Sequence, residues 1–392
     1  MKKLLYITSP FPKPLDNGSN IRDYHILKFL SKKFQITLVG IVLDELDNEE
    51  YRLTGLPIYD VFPIKSYVGL KDILKHPMFP LWVINFTSEK LSRLIESTLI
   101  KRKYDAVHIS HGYMAHYITP FLGNGSVLKV LDHHNIKTYM YNQMYSRERS
   151  LWRKIGYKGE YLKWKKFEQD YFHYFDIHLA TSRIEEGILK TIVDKPVYLL
   201  PSGADHLYYK KKQWIPKRPV ILFTGSLDYF PNAEGLYFFC KDCLPLIKKG
   251  VPDAVLQVVG RAPSYKTIRF LKKIKDVYCN FYVSDTRPYL YQSRVFVVPL
   301  MKGAGTRLKI TEGLLAGIPI VSTTKGFEGL DLIPGEEILA ADDPALFSKH
   351  VIDLLRDDNL ARRIGENGYA KAMSRYTWEK TLLVLNTIYQ GY

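Results

Sequence analysis

The sequence predicts an α/β fold of two doubly wound parallel-sheet domains, and three observations carry that expectation. Apolar runs of strand length recur along all 392 residues, and most are near-continuous rather than alternating, as in strands covered on both faces. Amphipathic helical stretches separate them, so the strands are joined by crossovers and lie parallel. One long interruption, "DHLYYKKKQWIPKRP" at 205–219, divides the series into two similar sets.

In chain order, the first set of strands is "KLLYITS" (3–9), "FQITLVGIV" (34–42), "AVHIS" (106–110), "VLKVLDHH" (127–134), "IHLATS" (177–182) and "PVYLLPS" (196–202). The second set is "PVILFTGS" (219–226), "AVLQVVG" (254–260), "VYCNFYV" (277–283), "RVFVVPL" (294–300), "PIVSTT" (319–324) and "EILAAD" (337–342). Between them, "DYHILKFLSKKF" and "PALFSKHVIDLLRDDNLARRIGENGYAKAM" have clear helical periodicity. The interruption is basic, holds two prolines and has neither period, so it reads as a linker. The predicted domains are 1–205, 206–376 and a closing helix, 377–392, that starts after Thr377 and crosses back to the first domain. Ligands of such sheets bind beyond the carboxyl ends of the strands, so the two crests are expected to face each other across a cleft.

Composition narrows the partners. The formal charge of +16 suits an anionic ligand, and no nucleic-acid motif accompanies it. A phosphorylated metabolite or an anionic membrane surface fits better. Three cysteines do not make a disulfide framework. Cys240 and Cys243 form a CxxC inside an amphipathic stretch with no second pair, so they read as buried helix residues. The opening "MKKLLYITSPFP" meets prolines after six residues and reads as the first strand rather than a leader. No apolar run reaches the roughly 18 residues of a membrane span.

One segment carries chemistry of its own. "VVPLMKGAGTRLKITEGLLAGIPIVSTT" (297–324) places strand, glycine loop, helix and strand in succession. Gly303 and Gly305 flank Ala304 in the loop, where backbone N–H groups can approach an anion at a helix N-terminus. Arg307 and Lys309 lie in the helix's first turn, where the helix dipole opposes positive charge. A bound diphosphate would reverse that cost. In the plainer alternative, Lys309 pairs with Glu312 on the surface and Arg307 extends into solvent.

The stretch "PLMKGAGTRLKITEGLLAGIPIVSTTKGFEGL" resembles the donor-binding segment of GT-B glycosyltransferases, family 4 and its relatives. "ILFTGSLDYFPNAEGLYFFCKDCLPLI", "VVGRAP", "YVSDTRPYLYQSRVFVVPL", "LLPSGADHLYY", "SPFPKPLDNGSNIRDYHI" and "LDHHNIKTYM" are similar to further family segments and stand in the family's order. The resemblance implies a GT-B fold and transfer of a sugar from a nucleoside-diphosphate sugar to a glycan or lipid-linked hydroxyl acceptor. It also implies retention of configuration, and the expected setting is cell-surface polysaccharide or glycolipid assembly by a cytoplasmic enzyme, for which the basic charge leaves peripheral contact with the inner membrane face open. In such a family Glu312 binds the ribose hydroxyls. The donor diphosphate falls to Arg307, Lys309 and the loop of Gly303, Ala304, Gly305 and Thr306, with Ser226 at the end of the first C-domain strand. Two family features are missing. Ser226, Leu227 and Asp228 stand where an Arg and a Lys usually follow that strand. Ala304 stands where a first Glu usually reaches the sugar, which leaves backbone N–H groups of 303–306 to do so.

In the first domain, Gly18 of "DNGSN" lets the backbone approach donor or acceptor, or is an ordinary turn residue. The resemblance favours His134 of "DHHN" as the polar group near the reacting centre. No Asp-x-Asp occurs, so neither metal nor cofactor is expected. Residues 144–168 mix cations with Trp and Tyr, the composition either of a face on an anionic membrane or of a solvated helix with its tryptophans turned inward. The same architecture also serves sugar-nucleotide epimerases, and a non-catalytic sugar-nucleotide-binding subunit would share it.

Overall fold

The computed structural model describes the chain except residues 13–16, 43–55, 59, 66–73, 124, 149, 214–215, 304–306 and 391–392. It forms two compact units, Met1–Pro201 with Leu382–Tyr392, and Ser202–Thr381.

The first unit is built on β1 (Lys2–Thr8), β2 (Phe34–Val42), β3 (Asp60–Lys65), β4 (Ala106–Ser110), β5 (Leu128–Asp132), β6 (Ile177–Ala180) and β7 (Val197–Leu199). They form one parallel sheet in the order β3-β2-β1-β4-β5-β6-β7. β3 is absent from the sequence reading. Its Pro63, level with Gly40 of β2, interrupts the apolar run and is tolerated because β3 is the edge strand. The first helix spans Gly18–Leu30, five residues earlier than the apolar period suggests. Asn17 supplies the start, its side chain accepting the Asn20 N–H at 3.0 Å. That first turn is polar, so periodicity alone picks the helix up late.

The second unit holds β8 (Val220–Ser226), β9 (Val255–Arg261), β10 (Val277–Phe281), β11 (Val295–Val298), β12 (Ile320–Ser322) and β13 (Leu339–Ala340), all parallel in the order β10-β9-β8-β11-β12-β13. Its strands show why the runs do not alternate. Ile221, Phe223, Val295 and Val297 face one layer, with Leu236, Phe239, Phe347 and Leu354. Leu222, Phe296 and Val298 face the other, with Ile310 and Leu314. Both faces are core, so consecutive positions such as Ile221, Leu222 and Phe223 are apolar. Cys240 and Cys243 are free thiols inside the first layer, where burial pushes each up to about 12.

The stretch read as a linker packs on the second unit wherever it is described. The Lys212 N–H donates to Ala316 O at 3.0 Å and its Nζ to Ser293 O at 3.0 Å. The Tyr208 ring lies 3.8 Å beneath the Arg287 guanidinium. The unit starts at Ser202, with the Ala204 N–H bonded to Tyr376 O at 2.8 Å. These ties reach distant carbonyls and aromatics, so they leave no local period to read. After Thr377 the chain forms two short helices, Trp378–Thr381 and Val384–Ile388, rather than one. The second belongs to the first unit, where the Tyr389 hydroxyl meets His108 Nδ1 at 2.8 Å.

Candidate functional site

Both sheets reverse their strand order once, between β1 and β4 and between β8 and β11. At such switch points neighbouring loops leave in opposite directions and open a crevice at the carboxyl ends of the strands. Each crevice holds a concentration of polar side chains.

In the first unit these gather on Asp23. Its carboxylate accepts from Tyr6 Oη at 2.8 Å, Thr8 Oγ1 at 2.5 Å and Ser110 Oγ at 2.6 Å, all buried. Burial by itself raises the Asp23 carboxyl. The hydrogen bond and charge of His134, the charge of His111 and the Ser110 hydroxyl outweigh it and hold the group well below the usual range. Beside it the buried Arg22 forks onto Asp132, with Nε to Oδ2 at 2.9 Å and Nη2 to Oδ1 at 2.7 Å. Arg22 Nη1 donates to Leu200 O at 2.7 Å. The helix Gly18–Leu30 thus carries an inward face of charge fully engaged by β1, β4 and β5.

His134 sits on this cluster, and its tautomer follows from its neighbours. Ser110 has one proton, and ionised Asp23 can only accept. Ser110 therefore donates to Asp23 and accepts at 2.9 Å from His134 Nε2, which must carry hydrogen. The other ring nitrogen, Nδ1, lies 3.3 Å from Ser19 Oγ. The His111 ring stacks on His134 at 3.6 Å between centroids, with Nε2 2.9 Å from Ser19 Oγ. His111 stands at φ 73, a left-handed conformation that costs a non-glycine residue of order 1 kcal/mol or more and persists where surrounding contacts impose it. Burial first, then the charge of His134, pulls its pKa far down. His133 turns away, its Nε2 paired with His178 Nδ1 at 2.9 Å in the core. Of the two adjacent histidines the fold brings only His134 to the crest. Gly18 is the exposed first residue of the helix. Asp23, His111 and His134 each offer one metal-ligating atom, all within 4.8 Å of one another. His134 is bonded to Ser110 and Ser19, and His111 to Ser19.

In the second unit the crest gathers cations. Ala304, Gly305 and Thr306 lie outside the described residues. Gly303 stands at φ 115, a backbone conformation that favours glycine, with the Arg307 guanidinium packed against it. Arg307 is buried at the N-cap of the helix Leu308–Leu315, its carbonyl accepting the Ile310 N–H at 2.9 Å. Lys309 reaches back to β8, with Nζ on Thr224 O at 2.5 Å and Asn232 Oδ1 at 2.8 Å. Burial, with the charge of Arg307 added, brings Lys309 down to about 7 against the opposing pull of Glu312. A surface pair of Lys309 with Glu312 and a solvated Arg307 are therefore not what the structure holds. Burial raises the Glu312 carboxyl, and the Tyr209 hydroxyl and then the charge of Lys309 pull the other way.

Ser226 ends β8, its hydroxyl on Asp228 Oδ1 at 2.5 Å. Arg261 ends β9 in register with Ser226 and donates from Nε to Ser226 Oγ at 3.1 Å. The cations missing after β8 thus have counterparts from other elements: Arg261 from the neighbouring strand, Lys309 from the helix, and Lys302, which pairs with Glu234 at 2.8 Å. The sequence reading passes over Arg261 and Tyr209. The "GR" within "VVGRAP" is the available signal, since the end of a strand beside β8 lies beside Ser226. Tyr209 had no such signal, because it stands in the apparent linker. Asp23 and Ser110 were hidden in an apolar helix and strand.

Residues 218–357 match the family described as glycosyl transferases, group 1. The whole chain is 26% identical over 402 residues to an uncharacterised 44.6 kDa protein of the cps region of Klebsiella pneumoniae, covering 97% of this chain and 98% of the relative. Among solved structures, sucrose-phosphate synthase from Thermosynechococcus elongatus superposes with a TM-score of 0.72 at 16% identity, over 100% of this chain and 98% of that one. Anabaena HepE in complex with UDP and glucose superposes with a TM-score of 0.68 at 12% identity, over all of both chains.

Proposed function

We propose that this chain, a glycosyltransferase of the GT-B fold carrying the group 1 match over residues 218–357, moves a sugar from a nucleoside-diphosphate donor to a hydroxyl acceptor. The reaction retains anomeric configuration and serves cell-surface polysaccharide or glycolipid assembly. One observation carries the reading: beside the β8/β11 switch point, Glu312 stands one turn beyond the cations Arg307 and Lys309 on the same helix start. A carboxylate there accepts from the two vicinal ribose hydroxyls, and the cations and the helix N-terminus receive the diphosphate. The HepE structure, which contains UDP and glucose, supports the donor class, and the Klebsiella relative's cps region supports the setting.

The chemistry asked of these residues is electrostatic. The acceptor oxygen bonds to the sugar's anomeric carbon, and the bond from that carbon to the diphosphate oxygen breaks. The hydroxyl proton passes to the departing phosphate. Arg307 and Lys309 stabilise the charge that develops on the leaving group. His134, its ring fixed through Ser110 by Asp23, orients a substrate hydroxyl.

Incubation with a panel of nucleoside-diphosphate sugars, with and without cell-envelope lipid, should release free diphosphate and a glycosylated product. An altered nucleotide sugar without an acceptor product would mean an epimerase instead. Glu312→Ala should weaken donor binding by roughly 1.5–3 kcal/mol, or about ten- to a hundredfold, with the melting temperature nearly unchanged. A large fall in melting temperature at unchanged affinity would make Glu312 structural and remove the reading's main support.

A further inference from the structure

We infer that the outer face of the helix Leu151–Tyr171 is a docking surface for an anionic lipid membrane. This 21-residue helix is amphipathic twice over. One stripe, with Tyr157, Tyr161, Trp164 and Phe167, packs on the core of the first unit. At 100° per residue, Leu151, Ile155 and Leu162 form a second stripe on the opposite side, with Trp152 beside it. These four are 69%, 57%, 53% and 83% exposed, so they meet solvent and not protein. Trp164, by contrast, is fully buried. The helix's two tryptophans therefore have opposite surroundings, which a solvated helix packing its aromatics inward does not explain.

Charge chooses the occupant. The helix carries six cations, Arg153, Lys154, Lys158, Lys163, Lys165 and Lys166, against three acids. The acids are engaged by the protein: Glu160 accepts the Leu81 N–H at 3.1 Å, the buried Glu168 accepts the Thr138 N–H at 3.0 Å, and Asp170 pairs with Lys166 at 3.0 Å. Lys154 and Lys158 flank the apolar stripe, each within 6 Å of the Tyr145 ring (5.4 and 5.8 Å). Aliphatic side chains between lysines let the apolar groups enter the acyl boundary while the ammonium groups meet lipid phosphates. A second copy of the same face would set lysines against lysines, which disfavours self-association.

The inference stands on this helix alone and does not depend on the donor reading. Its test is co-sedimentation of the full chain with vesicles of phosphatidylcholine containing one quarter phosphatidylglycerol, beside vesicles of phosphatidylcholine only. Binding to the anionic vesicles, weakened by salt, with little binding to the neutral ones, is expected. Trp152→Ser with Ile155→Ser should cut the partition by about tenfold or more. Lys154→Gln with Lys158→Gln should lower binding to the anionic vesicles selectively. All four positions lie on the outside of the helix, so circular dichroism and melting temperature should not move. Absence of binding, equal binding to both vesicle types, or variants that bind like the parent would each overturn the proposal. So would a dimer in sedimentation velocity that the Trp152/Ile155 variant abolishes, since that would assign the face to a second copy.

Discussion

The crests of the two sheets occupy equivalent places in their topology and are chemically unlike. At the first, the buried charges are matched inside the protein: Arg22 with Asp132, and Asp23 with three hydroxyls. At the second, Arg261, Lys302, Arg307 and Lys309 outnumber Asp228, Glu234 and Glu312, and Lys309 is brought down to about 7 by burial beside Arg307. A satisfied network fixes geometry, since every member is held by its neighbours. A surplus of one sign in a partly enclosed site lowers the cost of bringing in the opposite sign. On the proposed reading, the first crest positions a histidine and the second receives an anion.

The largest effect that would break this contrast is at the second crest. Arg307→Ala with Lys309→Ala removes two charge-assisted contacts of roughly 1.5–3 kcal/mol each, a loss on the order of 10²–10⁴ in nucleoside-diphosphate affinity. The free nucleoside should bind almost as before. Isothermal titration with nucleoside, monophosphate and diphosphate decides it, and equal losses on all three would take the phosphate away from these residues.

Next in size is the first crest. Arg22→Ala leaves Asp132 charged and unpaired in the core, at a cost of about 3–5 kcal/mol. Calorimetry should show the transition of the first unit falling, with nucleotide affinity unchanged. If the melting profile stays put while affinity falls, the roles given to the two crests are reversed.

The smallest effect is a proton. Lys309 titrates near 7 in the folded chain and near 10.4 as a free lysine, so between those values the unfolded chain binds more protons. Stability therefore rises with pH across that window through this group. A diphosphate beside the ammonium favours the charged form, so binding at pH 8 should take up a proton. Diphosphate affinity should then fall as pH rises above 7, by at most about tenfold per unit. Titrations in buffers of different ionisation enthalpy measure the uptake. No buffer dependence at pH 8 would place Lys309 apart from the ligand.

The sequence by itself determined the architecture. The strand runs at 34–42 and 106–110 coincide with β2 and β4, and the alternation of strand and helix already implied parallel sheets. Burial on both faces writes itself into consecutive residues such as Ile221, Leu222 and Phe223, so it can be read locally. The segment 297–324 likewise announced a loop and helix start with an acid and two cations. Tertiary structure decided which partners those charges take. Lys309 lies on Thr224 and Asn232 instead of Glu312, and Tyr209, in an apparent linker, acts on the Glu312 carboxyl. It also decided that His134 joins Ser110 and Asp23 while His133 joins His178. The physical reason is range. A hydrophobic period is a property of adjacent residues. A charge in a partly dry interior is settled by whichever donor or acceptor the sheet order brings within 3 Å or so, however distant in sequence.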